Sequence, residues 1–141
     1  MGSQPSKSPM TARIERPLSP HLQTYRWTMT MAMSIVHRVT GIMLYFGTLL
    51  LVWWLIAAAS GPAAYSHVQA FTSSALGRLI VFGFTWALLH HLLSGARHFL
   101  WDLGYGFKPN EREALTWGAF IGGISLTVLL WIAAYAIGGG R

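Results

Sequence analysis

Long uncharged apolar runs, rather than an alternation of polar and apolar positions, organise this chain. From Val39 to Ala59 the sequence VTGIMLYFGTLLLVWWLIAAA continues for 21 residues without a charge, and about 20 helical residues suffice to cross a hydrocarbon core. A second run starts near Leu79 and reaches Ala96, apolar except for His90 and His91, before Arg97, His98 and Asp102 follow. The third, Leu115 to Gly138, has 24 uncharged residues, long enough to cross at a tilt. This pattern predicts an all-α membrane protein with three transmembrane helices at about 30–59, 76–103 and 115–138. Helices buried in a soluble core are the alternative, but three such lengths in 141 residues leave almost no polar helix face to meet water.

The distribution of Lys and Arg then sets an expected orientation, because these residues are retained on the cytoplasmic side. The amino-terminal segment carries Lys7, Arg13, Arg16 and Arg26, with Arg38 just inside the first helix. The connection from Ser60 to Gly77 has no Lys, Arg, Asp or Glu, whereas the next, Gly104 to Ala114, carries Lys108 and Arg112 and follows Arg97. The expected topology is amino terminus cytoplasmic, carboxyl terminus outside. Residues 1–11, rich in Ser and Pro, read as a disordered tail ahead of a single membrane-anchor domain over 12–141, with Arg13 to Trp27 as an ordered lead-in. Pro5, Pro9, Pro17 and Pro20 and the lack of an apolar core argue against a cleavable signal in the first 28 residues.

Composition narrows the chemistry. The chain is 53% hydrophobic and 10% charged, against about 45–50% and about 25% in an average soluble domain. Its formal charge of +6 follows the topology pattern and gives no reason to expect nucleic-acid binding. Without cysteine it has no thiol nucleophile and no thiolate ligands for an iron–sulfur cluster. Four carboxylates leave little material for acid–base work on a polar substrate. Any substrate chemistry is expected on another subunit.

Polar residues inside the spans form two stripes. Ser34, His37, Arg38 and Gly41 recur at i, i+3, i+4 and i+7 along one face of the first helix. An Arg there also has a bland reading, as a side chain snorkelling to lipid headgroups. In the second helix His91, Gly95, His98 and Asp102 fall at i, i+4, i+7 and i+11, while His90 points about 100° away. Imidazole is a common axial ligand of haem iron, and a glycine one turn away leaves room for a porphyrin edge; a histidine hydrogen-bonded to a neighbouring helix is the alternative. Arg38, His37, Arg97 and His98 are expected at one cytoplasmic level as a positive ring for haem propionates, with the iron toward His91. A bis-histidine haem needs imidazoles on opposite sides of its plane. His37 reads as too shallow to serve, so the second ligand is expected from another polypeptide. Gly118, Gly122 and Ser125 add a small-residue stripe suited to close helix approach.

The stretches RPLSPHLQTYRW (Arg16 to Trp27), SIVHRVTG (Ser34 to Gly41) and HLLSGARHFLWDLG (His91 to Gly104) resemble the cytochrome b subunits of succinate dehydrogenase in order and spacing. The resemblance covers nearly everything from Arg16 to the third helix. It implies a membrane anchor of succinate:quinone oxidoreductase in which His91 is an axial ligand of haem b and the other ligand comes from a second hydrophobic anchor subunit. Ser34 and Arg38 inherit a ubiquinone-binding role, and His37 and Arg38 approach the propionates; Gly95, Arg97 and His98 complete the expected haem pocket. FAD and the iron–sulfur clusters are expected on a flavoprotein and an iron–sulfur subunit, in a bacterial inner membrane or a mitochondrial one. Ala96, where a larger aliphatic is usual, and the extra imidazole at His90 depart from the pattern. Two other readings stay open: an anchor of fumarate reductase or another quinone-linked dehydrogenase, and a cofactor-free scaffold.

Overall fold

The computed structural model describes residues 26–138, and the expected tail and most of the lead-in up to Trp27 lie outside them. Four helices follow in order: α1 (Met29–Ser60), α2 (Pro62–Ser73), α3 (Ala75–Asp102) and α4 (Pro109–Gly138). Helices α1, α3 and α4, of 32, 28 and 30 residues, are each long and apolar enough to span a membrane. Among the described residues there is no strand. The expected all-α architecture with three spans is the one observed.

The helix ends from Thr28 to Ser74 have local causes. Thr28 caps α1, its hydroxyl accepting from the Met31 backbone N–H at 3.4 Å. At the other end Gly61, with φ 107°, adopts a backbone conformation that side chains disfavour. It lets Pro62 open α2 in the first helical turn, where a missing N–H costs nothing. Ser74 ends α2 and caps α3, accepting from Gly77 N–H at 3.0 Å. The segment expected to be a plain connection is therefore mostly helix. At 12 residues it reaches about 18 Å, too short to cross a membrane core of about 30 Å. The third span begins six residues before the uncharged run does, at Pro109 rather than Leu115, with Glu111 in its first turn. Lys108 pairs with that Glu111 at 3.4 Å.

Helix α3 is central: it packs along α4 and α1 and touches α2. The buried apolar side chains are few and mostly small (Met33, Ala57, Val68, Ala87 and Ala119), whereas Thr40, His90, Ser94, Arg97, Thr116 and Thr127 are buried polar groups. Large apolar residues such as Phe46, Leu49, Ile56, Leu129 and Ile132 face outward. In water this arrangement would expose far more apolar surface than a soluble monomer tolerates. In a bilayer it is the expected one: lipid solvates the apolar faces, and polar groups find partners in the helix seams.

Candidate functional site

The polar residues of α3 divide between two seams. Ala87, His90, Ser94 and Arg97 recur at helical spacing and form its buried stripe toward α4. His90 is fully buried, stacked on Trp86 at 5.4 Å between centroids and edge-on to Phe120 at 6.2 Å. Ser94 Oγ lies 3.4 Å from its Nε2. Gly123 of α4 passes so close that a Cβ there would stand 3.1 Å from the Cα of His90. Within the described chain, then, Gly123 provides the closest backbone approach, and Gly122 of the expected stripe also meets α3, where a Cβ would stand 3.1 Å from Leu93 Cδ1. Gly118 and Ser125 face outward, and a Cβ at Gly118 would meet nothing.

His91, turned one position around the helix, meets α1 instead. Its ring lies face to face with that of His37, centroids 3.9 Å apart and planes 13° from parallel. His91 Nδ1 is 3.2 Å from the His37 carbonyl oxygen and 3.2 Å from Thr40 Oγ1. The Thr40 hydroxyl itself donates to the His37 carbonyl at 2.9 Å. Gly41 completes this turn of α1, and a Cβ on it would stand 3.2 Å from His91 Cε1. Ser34 and Arg38 lie on the exposed edge of α1 beside these residues. Gly95, one turn along from His91, borders open space: a Cβ on it would have no neighbour within 4 Å.

The expected depth of His37 is corrected here. Its stacking partner is His91 itself, so the two lie at one level. Counted from the start of the uncharged run at Val39, after the charge of Arg38, His37 looks terminal. In fact α1 starts at Met29 and α3 runs to Asp102, which puts His37 about 12 Å and His91 about 16 Å from their respective helix ends at 1.5 Å per residue.

The positive ring is also differently arranged. His98 is near His37, with centroids 5.8 Å apart, and is exposed together with Arg38. Arg97 matches them in depth but not in direction, being 5% exposed and held in the α3–α4 seam. Its Nη1 donates to Thr116 Oγ1 at 2.7 Å, and its guanidinium lies 4.8 Å from the centre of the Trp101 ring. Six positions separate Arg97 from His91, which turns it toward the face of His90, seven positions away. The sequence reading missed Thr40, Thr116 and Trp101. Thr40 had a visible signal, its place within SIVHRVTG, but nothing local linked its hydroxyl to a residue 51 positions away.

The donor set around this end of α3 fits an acidic cofactor edge. Arg97 Nε and Trp101 Nε1, both donor-only groups, are buried without a hydrogen-bond acceptor among the described residues, and His37 Nδ1 is likewise without a partner. Among those residues no carboxylate pairs with Arg97. Buried donors of this kind are costly unless something accepts from them, and a carboxylate is the natural complement of a guanidinium.

Known proteins place the chain in a family. The family described as the succinate dehydrogenase/fumarate reductase transmembrane subunit matches residues 12–134. The chain is 40% identical over 123 residues to the succinate dehydrogenase cytochrome b556 subunit of Paracoccus denitrificans, covering 87% of this chain and 95% of that protein. To the subunit of the same name from Rickettsia felis it is 34% identical over 118 residues, 84% of this chain and 92% of the other. It is 43% identical over 96 residues to the mitochondrial succinate dehydrogenase cytochrome b560 subunit of Sus scrofa, covering 64% of this chain and 55% of that one. With apolar helices of membrane-spanning length and a match over nearly its whole extent, the chain belongs to the succinate dehydrogenase/fumarate reductase transmembrane-subunit family.

Proposed function

We propose that the chain is the cytochrome b anchor of a succinate:quinone oxidoreductase, carrying one axial ligand of haem b and part of the ubiquinone site. One observation carries this function: the imidazole of His91 is seated against α1 by its Nδ1 edge, beside the open space at Gly95, with Ser34 and Arg38 exposed on the adjacent edge of α1. His91 would hold the haem iron from this chain, and a histidine of a second hydrophobic anchor subunit would supply the other ligand. His37 does not supply the second ligand, because its ring is stacked flat on that of His91 and leaves no room for a macrocycle between them. When bound, the haem supplies one-electron redox chemistry within the membrane.

The remaining roles belong to this chain's own side chains. Arg97, with Trp101 beside it, and the rim residues His37, Arg38 and His98 supply donors and positive charge for the propionates. Ser34 and Arg38 donate to a quinone carbonyl and stabilise the negative charge that develops there as electrons arrive. Those electrons come from succinate, oxidised to fumarate on a flavoprotein subunit holding FAD, and pass through the clusters of an iron–sulfur subunit. This places the complex in the tricarboxylic acid cycle and the aerobic respiratory chain. The amino terminus faces the cytoplasm, or the mitochondrial matrix, where the iron–sulfur subunit docks beside Arg38. The membrane is a bacterial inner membrane or its mitochondrial counterpart.

A reduced-minus-oxidised absorption spectrum of the purified membrane complex, with identification of the co-purifying chains, tests cofactor and partners together. A haem b difference spectrum that travels with a flavoprotein, an iron–sulfur protein and a second anchor is expected. A complex lacking any haem band would overturn the assignment.

A further inference from the structure

Assuming His91 is the haem ligand proposed above, we infer that the turn of α1 formed by His37, Thr40 and Gly41 sets the tautomer and orientation of that ligand, with the Thr40 hydroxyl as a positioning group. Thr40 is fully buried, and its single hydroxyl proton is donated to the His37 carbonyl at 2.9 Å. The two oxygens 3.2 Å from His91 Nδ1 are therefore both acceptors: a carbonyl, which can only accept, and a hydroxyl whose proton is already committed. Nδ1 must carry the ring proton. In a neutral imidazole this leaves the lone pair on Nε2, the second ring nitrogen, as the one free to bind a metal.

Two further contacts, with that hydrogen bond, restrict the ring. His37 covers one face of the imidazole at 3.9 Å, which opposes rotation about the bond joining the ring to Cβ. Gly41 leaves the space that Cε1 occupies; a Cβ there would press on it from 3.2 Å. The shared hydrogen bond fixes the Nδ1 edge to a backbone carbonyl within a helix, a support that cannot swing as a side chain can. Outer groups that bond the second nitrogen of a metal-bound histidine commonly contribute 10–100-fold to metal affinity. The carbonyl remains when the hydroxyl is removed, so the effect of Thr40 belongs at the lower end of that range.

The test compares Thr40→Val, which removes the hydroxyl at nearly constant volume, with Thr40→Ser, which keeps it, in the assembled complex. Gly41→Ala and His91→Ala are included. The readouts are haem retained against excess apomyoglobin and the electron paramagnetic resonance of the ferric haem. Thr40→Val is expected to lose haem about tenfold more readily than wild type, with a shifted resonance, and Thr40→Ser to restore both. Gly41→Ala is expected to shift the resonance through the displaced ring. Thr40→Ala replaces Thr40→Val if the latter does not assemble. Wild-type retention and resonance in the hydroxyl-free variant would overturn the inference, as would a Thr40→Ser variant no better than Thr40→Val. It is equally overturned if both hydroxyl-free variants fail to assemble while Thr40→Ser does, since the hydroxyl would then serve folding alone. Haem held normally by His91→Ala would instead reject the ligand assignment on which the inference rests.

Discussion

His37 and His91, on different helices and 54 positions apart in sequence, are joined twice: their rings stack 3.9 Å apart, and the carbonyl of one faces Nδ1 of the other at 3.2 Å. The pair defines the level of the candidate haem site and separates it from the second α3 seam, where His90 is enclosed. Adjacent in sequence, His90 and His91 have different neighbours and different expected roles.

Replacing each of the two histidines by alanine should separate those roles. His91→Ala is expected to reduce the haem difference spectrum of the complex to less than about a tenth of wild type. His90→Ala should keep the spectrum but lower stability by about 1–3 kcal/mol through the emptied site between Trp86 and Phe120, seen as a lower Tm in detergent. Equal loss of haem in the two variants would contradict the division.

Arg38→Ala should lower the rate of quinone reduction, on the order of 10²-fold if its guanidinium stabilises the developing oxyanion. Succinate oxidation with a soluble artificial acceptor should persist if, as proposed, that chemistry is carried by a flavoprotein subunit. Parallel loss of both activities would indicate an assembly defect.

In the α3–α4 seam, Gly123→Val should be destabilising by about 1–3 kcal/mol, since its first carbon already falls 3.1 Å from the Cα of His90 and a backbone atom cannot step aside. Gly118→Ala, which meets nothing within the chain, should stay within about 0.5 kcal/mol. Thermal unfolding of the two variants in one detergent decides between them.

Thr116→Val removes the hydroxyl that accepts from Arg97 Nη1 at 2.7 Å and leaves a buried guanidinium with one acceptor fewer. A loss of about 1–3 kcal/mol is expected. In the haem-free protein, where no propionate pairs with Arg97, adding Arg97→Met to Thr116→Val should recover part of that loss, because the unpaired charge is removed as well. Recovery is measured as the Tm of the double variant against the single one, and a further fall would show that Arg97 stabilises the seam by some other contact.

The three spans and their order were legible from the apolar runs, because crossing a bilayer demands about 20 uncharged helical residues and that demand is local. The sequence also separated the directions of His90 and His91, since 100° per residue holds anywhere in a helix. It was less informative where apolar runs and helices have different ends. The spans around His37 and Pro109 begin before their uncharged runs, since a helix continues through a charge it can direct outward, and α2 was hidden because a short uncharged segment reads equally well as a loop. Which helix meets which stripe became visible in the packed fold alone. The stack of His37 on His91, the hydroxyl of Thr40 at Nδ1, and the turning of Arg97 toward Thr116 all depend on how α1 and α4 are placed around α3, and that placement is set by packing between residues dozens of positions apart.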